Sequence, residues 1–344
     1  MPGIAGIITK ISKEKSEADL EIMIGCMMHE AFYVSRTYTN EEMGIYAGCV
    51  GHQGSFSDCM PVWNEKKDRC LLFSGENFPD PRLKEDLRIR GHRFDSSKAE
   101  YLIHLYEEQG DEFLGSLNGQ FCGVLIDLVK RKGILFNDRY GMRRVYYYED
   151  NNGIYFSSEA KSILRIKPET RQINTKSFGE FFSFGCVLDN RTLFSDIFLL
   201  PGSSSWKFQD GSIVERDHHF KAEVWENQPV LEKEIYYNKL RETFLRILPR
   251  YFSSDETIGM SLTGGLDTRM IMSCIDIPEG ELPCYTFGGT FRDCRDVKVA
   301  RKIAKASRQR HEVIRVDQRF ISDFPALAER TVYLTDGSMD VSGS

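Results

Sequence analysis

The sequence lacks several features that would each announce a class of protein. No run of about 18 apolar residues occurs in its 344 residues, so no membrane span is expected. There is no basic excess: 45 Lys+Arg stand against 51 Asp+Glu, a net charge of −6. That excludes a protein whose main work is gripping phosphate backbones, and no nucleic-acid partner is expected. Nine cysteines stand at 26, 49, 59, 70, 122, 186, 274, 284 and 294 without a single C-x-x-C. An odd count in a long chain argues against a disulfide framework or a structural zinc site, and reduced thiols in a cytoplasmic protein are the simpler reading. The seven histidines form no H-x-x-x-H or H-E-x-x-H. His218 and His219 are adjacent, so in a strand their rings point to opposite faces. The start, MPGIAGIITK, lacks the charged region, apolar core and small-residue cleavage site of a signal peptide. Internal repeats and low-complexity tracts are absent too.

What is present has two textures, and the length suggests two domains. The first ~210 residues read as mostly β, with short apolar runs at 3–8, 70–73, 121–128, 133–136, 145–148 and 154–156. Asp150-Asn151-Asn152-Gly153 between Tyr/Phe-rich runs is a hairpin signal. Helical patterns interrupt the strands at 17–28, 100–108 and 160–165. Stacked sheets with helices outside them are expected for 1–210. A polar stretch, 211–230, reads as a linker, and 231–344 as a second domain. That domain opens on a helix-period stripe over 231–248. Alternation follows: strand 258–262, helix 267–274, strand 284–287, helix 296–306, strand 312–316. This order implies a parallel sheet with right-handed crossovers.

The loop between that strand and helix is Ser261-Leu262-Thr263-Gly264-Gly265-Leu266-Asp267-Thr268. Two adjacent glycines let a backbone turn sharply and approach a ligand. Hydroxyls at 261, 263 and 268 can donate to phosphate oxygens, and the following helix offers free N–H groups. Asp267 would repel a bare phosphate, so it implies Mg²⁺ or a backbone hydrogen bond at the same place. The alternative is a tight strand-to-helix turn with Gly-Gly and an Asp cap, and spacing alone leaves both readings open. No Gly-Lys-Ser/Thr is present, so this is not a Walker loop.

SLTGGLDT resembles the S-G-G-x-D-S pyrophosphate loop of the ATP-pyrophosphatase superfamily, in particular the synthetase domain of asparagine synthetases. Thr263 and Thr268 stand where that pattern has Ser and keep the hydroxyl. The other half is similar to the family's class II glutamine amidotransferase domain. MPGIAGI resembles its M-C-G-I-x-G-I start, Ser74-Gly75-Glu76 its N-G-E, and Leu117-Asn118-Gly119-Gln120-Phe121 its L-x-G-x-F. Asn137-Asp138-Arg139-Tyr140-Gly141 resembles its R-D-R-F-G, followed by Tyr146–Tyr148 and Ser157-Ser158-Glu159-Ala160-Lys161. Thr192-Leu193-Phe194 and Leu200-Pro201-Gly202 resemble its interdomain stretch.

The resemblance implies an α+β architecture. An N-terminal Ntn-hydrolase-like αββα sandwich precedes an α/β parallel-sheet ATP-pyrophosphatase (adenine nucleotide α hydrolase-like) domain. It implies ATP and Mg²⁺ as cofactors, held by Ser261, Leu262, Thr263, Gly264, Gly265, Asp267 and Thr268, with Asp267 on the metal. Gly288 would meet adenine through its backbone. The implied reaction adenylates a carboxylate, releases pyrophosphate and lets an amine displace AMP. The expected partners are a small-molecule or peptide carboxylate substrate and a second copy of the chain, with no membrane.

The chain departs from the family where glutamine is hydrolysed. The family's nucleophilic cysteine is Pro2 here, and its oxyanion-hole Asn is Ser74, beside Gly75. A hydroxyl is shorter than an amide and holds a developing oxyanion poorly. Lys98 stands where the family has the Asp for the glutamine α-amino group, and no Arg occurs between Arg36 and Arg69 for its carboxylate. Together these imply a dead glutaminase, with free ammonia or a substrate amine as the nucleophile. Pro2 could carry a free secondary amine, but amine catalysis needs activating neighbours, so proline filling a retired pocket is the reading kept. Cys26, beside Met27 and Met28 in a predicted helix, reads as a core residue rather than a new nucleophile. The family's later S-G-E-G-x-D-E segment does not occur in this sequence.

Among smaller signals, Arg269 could reach a phosphate or lie on a solvated helix face. Asp293 and Asp296 read as caps of the next helix, and the basic stretch 82–93 as an exposed helix ending at Gly91. A non-catalytic nucleotide-binding or interaction protein descended from the enzyme stands beside the ligase reading. RNA adenylation for base thiolation is disfavoured by the acidic charge and the amidotransferase-like half.

Overall fold

A computed structural model describes residues 2–253 and 257–339. The end of the chain, 340–344, lies outside the described residues. The described chain divides into two compact units. One is built from the chain up to Val224 joined by the stretch from Glu329 onward; the other is Trp225–Ala328. No helix among the described residues is long and apolar enough to cross a membrane.

The first unit holds two six-stranded sheets. One runs, edge to edge, Phe198–Leu199, Tyr146–Asp150, Gly153–Ser157, Gly3–Thr9, Ile45–His52, Tyr33–Asn40. The other runs Ser212–His218, Ser204–Gln209, Lys132–Asn137, Gly119–Asp127, Arg69–Asn77, Val62–Trp63. Every pairing is antiparallel. Successive side chains of the central strand Gly3–Thr9 serve opposite faces, as a period of two demands. Ile4 and Ile8 join Ile45, Leu71, Phe73, Val124 and Leu135 in the core between the sheets. Ala5 and Ile7 join Leu20, Met23, Tyr155 and Ile163 beneath helices Lys13–Met27 and Ala160–Ile166. The helix Tyr101–Gln109 covers the second sheet through Leu102, Leu105 and Tyr106. The layers are therefore helix, sheet, sheet, helix. A strand buried on both faces shows no polar alternation, which is why GIAGIIT reads as one apolar run.

Ser212–His218, which the sequence places in a linker, is the edge strand of the second sheet and pairs with Ser204–Gln209. Its residues are mostly polar and solvent-facing, so no apolar run marks the strand. The stretch from Glu329 onward packs with the first unit rather than with the rest of the second domain read from sequence.

In the second unit Met260–Ser261, Cys284–Gly289 and His311–Val316 form a parallel sheet in sequence order. Helices Leu266–Cys274 and Arg295–Ala306 make the crossovers. Leu262, Met272, Leu282, Cys284, Ala300 and Ala304 form its small core.

Candidate functional site

Two places collect the residues singled out above. The first lies around the start of strand Gly3–Thr9. Pro2 is half-buried just before it. The Ile4 amide donates to Ser158 Oγ at 3.0 Å, and that hydroxyl lies 3.7 Å from Cys122 Sγ. A Cβ on Gly3 would sit 2.4 Å from Ser158 Cβ and 2.9 Å from Met27 Cε, so the strand can enter here only as glycine. Ser74 faces Cys122 across the ladder and is 2% exposed. Its Oγ has no hydrogen-bond partner. Gly75 adopts φ +121°, and a Cβ there would lie 2.1 Å from the Gln120 carbonyl oxygen.

Neither nearby thiol is activated. Burial pushes the Cys122 thiol up to about 11, so it stays protonated at neutral pH. Cys26 is half-buried rather than core, and burial raises its thiol as well. The Lys98 ammonium binds protein: it lies 2.9 Å from Asp58 Oδ1 and donates to the carbonyls of Gly54 (2.8 Å) and Ser55 (3.0 Å).

The Asn137–Gly141 motif proves to be a structural brace. The buried Asp138 carboxylate accepts from the amides of Tyr140 (3.1 Å), Met142 (3.0 Å), Arg143 (2.8 Å) and Phe121 (3.3 Å). Asn137 Nδ2 donates to Leu200 O at 3.2 Å, and its Oδ1 accepts from Ser204 N at 2.8 Å. Four backbone donors would be orphaned without Asp138, and a buried orphan costs ~1–3 kcal/mol.

Sequence reasoning missed a charged cluster closed by the chain's distant end. Glu159 is fully buried and lies 2.8 Å from His29 Nε2 and 2.6 Å from Lys161 Nζ. Glu159 precedes helix Ala160–Ile166 without capping it. Asp336 does so instead, accepting from Ala160 N at 2.7 Å and Lys161 N at 3.2 Å. Burial raises the Asp336 carboxyl, against the opposing Lys161 cation. A cap reaching across 176 positions leaves no local signal.

The second place is the loop of the second unit, at the carboxyl edge of the parallel sheet. Ser261 ends its strand, and Leu262 is buried with its amide on Tyr285 O at 2.8 Å. Thr263 N and Thr268 Oγ1 lie 3.5 Å apart, and Gly265 N donates to Thr263 Oγ1 at 3.1 Å. Asp267 is exposed in the first turn of helix Leu266–Cys274. Arg269 Nε turns back to Gly265 O at 3.0 Å rather than outward.

Neither Gly264 nor Gly265 is in the positive-φ region, and Gly265 has φ −68°. The glycine at 264 answers to space instead: its amide donates to Asp296 Oδ1 at 3.0 Å, and a Cβ would meet that oxygen at 2.6 Å. Asp296 is thus not spent on capping its own helix, and neither is Asp293. The latter binds Arg301 at 2.8 Å and Arg315 at 2.9 Å. Gly288, on the neighbouring strand, is buried where a Cβ would meet Val297 and Val313 at 2.9 Å each.

An anion and its counter-cation fit this loop chemically. One amide already holds a carboxylate oxygen, the Thr263 and Thr268 hydroxyls lie on loop backbone groups, and Asp267 is exposed.

Residues 1–220 match the family described as glutamine amidotransferase domain. The chain is 26% identical over 251 residues to asparagine synthetase [glutamine-hydrolyzing] 1 of Bacillus subtilis, covering 72% of this chain and 39% of that one. It is 27% identical over 212 residues to asparagine synthetase B of Escherichia coli, covering 61% and 33%. The chain therefore spans about two fifths or less of the length of these relatives. A solved structure, glutamine phosphoribosylpyrophosphate amidotransferase from B. subtilis complexed with ADP and GMP, is similar with a TM-score of 0.46. Identity to it is 12%, over 93% of this chain and 70% of that one.

Proposed function

From the premise that the chain belongs to the glutamine amidotransferase domain family, we propose an asparagine synthetase-like, ATP-dependent amide-forming function in which the amidotransferase unit no longer hydrolyses glutamine. One pairing carries this reading. The positions that would handle glutamine are Pro2, Ser74 and Lys98, while the loop Ser261–Thr268 keeps the amides and hydroxyls an anion needs.

In this proposal the amides of Gly264 and Gly265 and the hydroxyls of Ser261, Thr263 and Thr268 hold the phosphates of ATP. Asp267 holds Mg²⁺, Leu262 anchors the loop in the core, and the backbone at Gly288 borders the adenine. Bound ATP supplies the leaving pyrophosphate that drives amide formation. The substrate is a small-molecule or peptide carboxylate, the nucleophile is ammonia or an amine on the substrate, and the protein works in the cytoplasm. The Gly264 amide cannot serve a phosphate until Asp296 swings off it, nor the Gly265 amide until it leaves Thr263 Oγ1, because one N–H makes one strong hydrogen bond.

That same contact favours a second reading, a nucleotide-binding or interaction module without catalysis, since a protein carboxylate stands where a phosphate would bind. Two measurements on the longest available chain separate the readings. ATP binding is titrated for wild type and Gly265→Val, whose side chain would crowd Thr263 Oγ1, 3.1 Å from a Cβ at that position. The variant should bind roughly tenfold more weakly or worse, the loss of one charge-assisted bond. Equal binding would reduce the loop to a turn. Release of AMP and pyrophosphate with a panel of carboxylates and ammonia identifies the ligase, and binding without release the module.

A further inference from the structure

A cluster in the first unit lies outside both places described above. His104 sits on helix Tyr101–Gln109, His92 follows helix Pro81–Ile89, and Glu65 lies in the turn before strand Arg69–Asn77. One ligand atom from each of these three residues lies within 4.8 Å of the other two. We propose that Glu65, His92 and His104, with Glu107, bind a divalent transition-metal ion of the zinc class.

Ring nitrogens and carboxylate oxygens converge on one small volume, and the shortest approach, His104 to Glu107, is of hydrogen-bond length. Glu107 Oε2 lies 2.9 Å from His104 Nδ1 and 3.8 Å from His92 Nδ1, and Glu65 Oε2 lies 3.8 Å from His104 Nδ1. Around a tetrahedral Zn²⁺ with bonds near 2.0–2.2 Å, neighbouring ligands stand about 3.3–3.6 Å apart. Of these three separations, the shortest must open and the other two close by roughly a few tenths of an ångström. Glu65, with a side chain 60% exposed, is free to move. The two imidazoles are 15% and 5% exposed, with ring centroids 4.7 Å apart.

The outer partners match those that orient metal-bound histidines. His92 Nε2 lies 2.9 Å from Glu108 Oε1. That contact turns the other ring nitrogen, Nδ1, toward Glu107 Oε2, 3.8 Å away. Glu107 is held for the purpose: its Oε1 accepts from Asn64 Nδ2 at 2.8 Å and Arg69 Nη1 at 3.1 Å, leaving Oε2 toward the rings. His104, Glu107 and Glu108 share one helix face by their three- and four-residue spacing. An open cleft lined by Trp63, Glu65, Arg93 and His104 gives an ion a path from solvent.

The experiment titrates the full chain with Co²⁺, followed by d–d absorption, and with Zn²⁺ by calorimetry. The expected result is one saturable equivalent with a nitrogen–oxygen ligand-field spectrum and no thiolate-to-cobalt charge transfer. Glu65→Gln, at an exposed position, and His92→Gln should each weaken Co²⁺ at least tenfold with unchanged circular dichroism. His104→Ala, at a buried position, is read only if its dichroism is native. The proposal is overturned by wild type that takes up no Co²⁺, by unchanged affinity in Glu65→Gln and His92→Gln, or by a thiolate spectrum, which would move the metal to the cysteines.

Discussion

Asp296 offers the sharpest test of how the loop of the second unit works. Its Oδ1 takes the Gly264 amide at 3.0 Å, the donor that a phosphate would need. In Asp296→Ala that amide is free. A charge-assisted hydrogen bond is worth about 1.5–3 kcal/mol, and solvent exposure of this one brings it toward ~1 kcal/mol. Removing a negative charge some 4 Å from the incoming phosphate adds about 1 kcal/mol in water-like surroundings. Together these give roughly 1.5–2.5 kcal/mol, so ATP should bind about ten- to seventyfold more tightly. The helix Arg295–Ala306 loses a first-turn acid, which costs ~0.3–1 kcal/mol of stability and leaves the fold intact. Calorimetric titration with ATP, with and without Mg²⁺, reads the effect, and the gain should shrink as salt rises. Asp276→Ala, beyond the far end of helix Leu266–Cys274, is the control and should change nothing. Unchanged or weaker binding of ATP by Asp296→Ala in the absence of Mg²⁺ would refute the competition. Weakening confined to Mg²⁺ would make Asp296 a metal ligand instead.

Three further outcomes follow from the first unit. On the proposed function, purified protein should release no ammonia from glutamine, and Pro2→Cys should not restore release, because Ser74 and Lys98 still stand where the family resemblance puts the oxyanion and amino-group residues; turnover above a heat-killed control in Pro2→Ala would reveal another nucleophile. Gly75→Ala places a side chain at φ +121° and 2.1 Å from the Gln120 carbonyl. Strain and overpacking of ~1–3 kcal/mol each should lower the melting temperature by roughly 5–15 °C, and an unchanged melting curve would contradict the close approach. His219 is held below its ordinary value by burial, against its hydrogen bond to the Asn137 carbonyl and with the help of the Arg139 cation. A depressed histidine binds fewer protons folded than unfolded, so its contribution is intact above about pH 6.5 and is lost as pH falls toward the folded value. Urea unfolding at pH 7.5 and 5.5 should show this loss, and His219→Gln should reduce it; equal losses in both proteins would rule His219 out.

Much of this architecture was legible in local pattern. The strand–loop–helix order of the second unit follows from short strand-like runs alternating with helix-period stripes. The hairpin at 150–153 follows from its turn residues, and Gly153 closes it at φ +148°. Losses of chemistry are legible too: a proline has no thiol wherever it is placed, so Pro2 speaks before any fold is known. The pairing of Ser74 with Cys122 and the orphaned Ser74 hydroxyl were not legible, since both depend on which strands become neighbours. Nor was the edge strand Ser212–His218, most of whose side chains are exposed and polar, so no apolar run marks it. Asp296 read as a helix cap because capping is the commonest local use of an acid there. Only the parallel register carries it, 32 positions away, onto Gly264. Asp336 on the amides of Ala160 and Lys161, and Glu65 beside His92 and His104, were settled in the same way. Hydrogen bonds and ion pairs act over about 3 Å of space whatever the separation along the chain, and local sequence pattern reports only the separation along the chain.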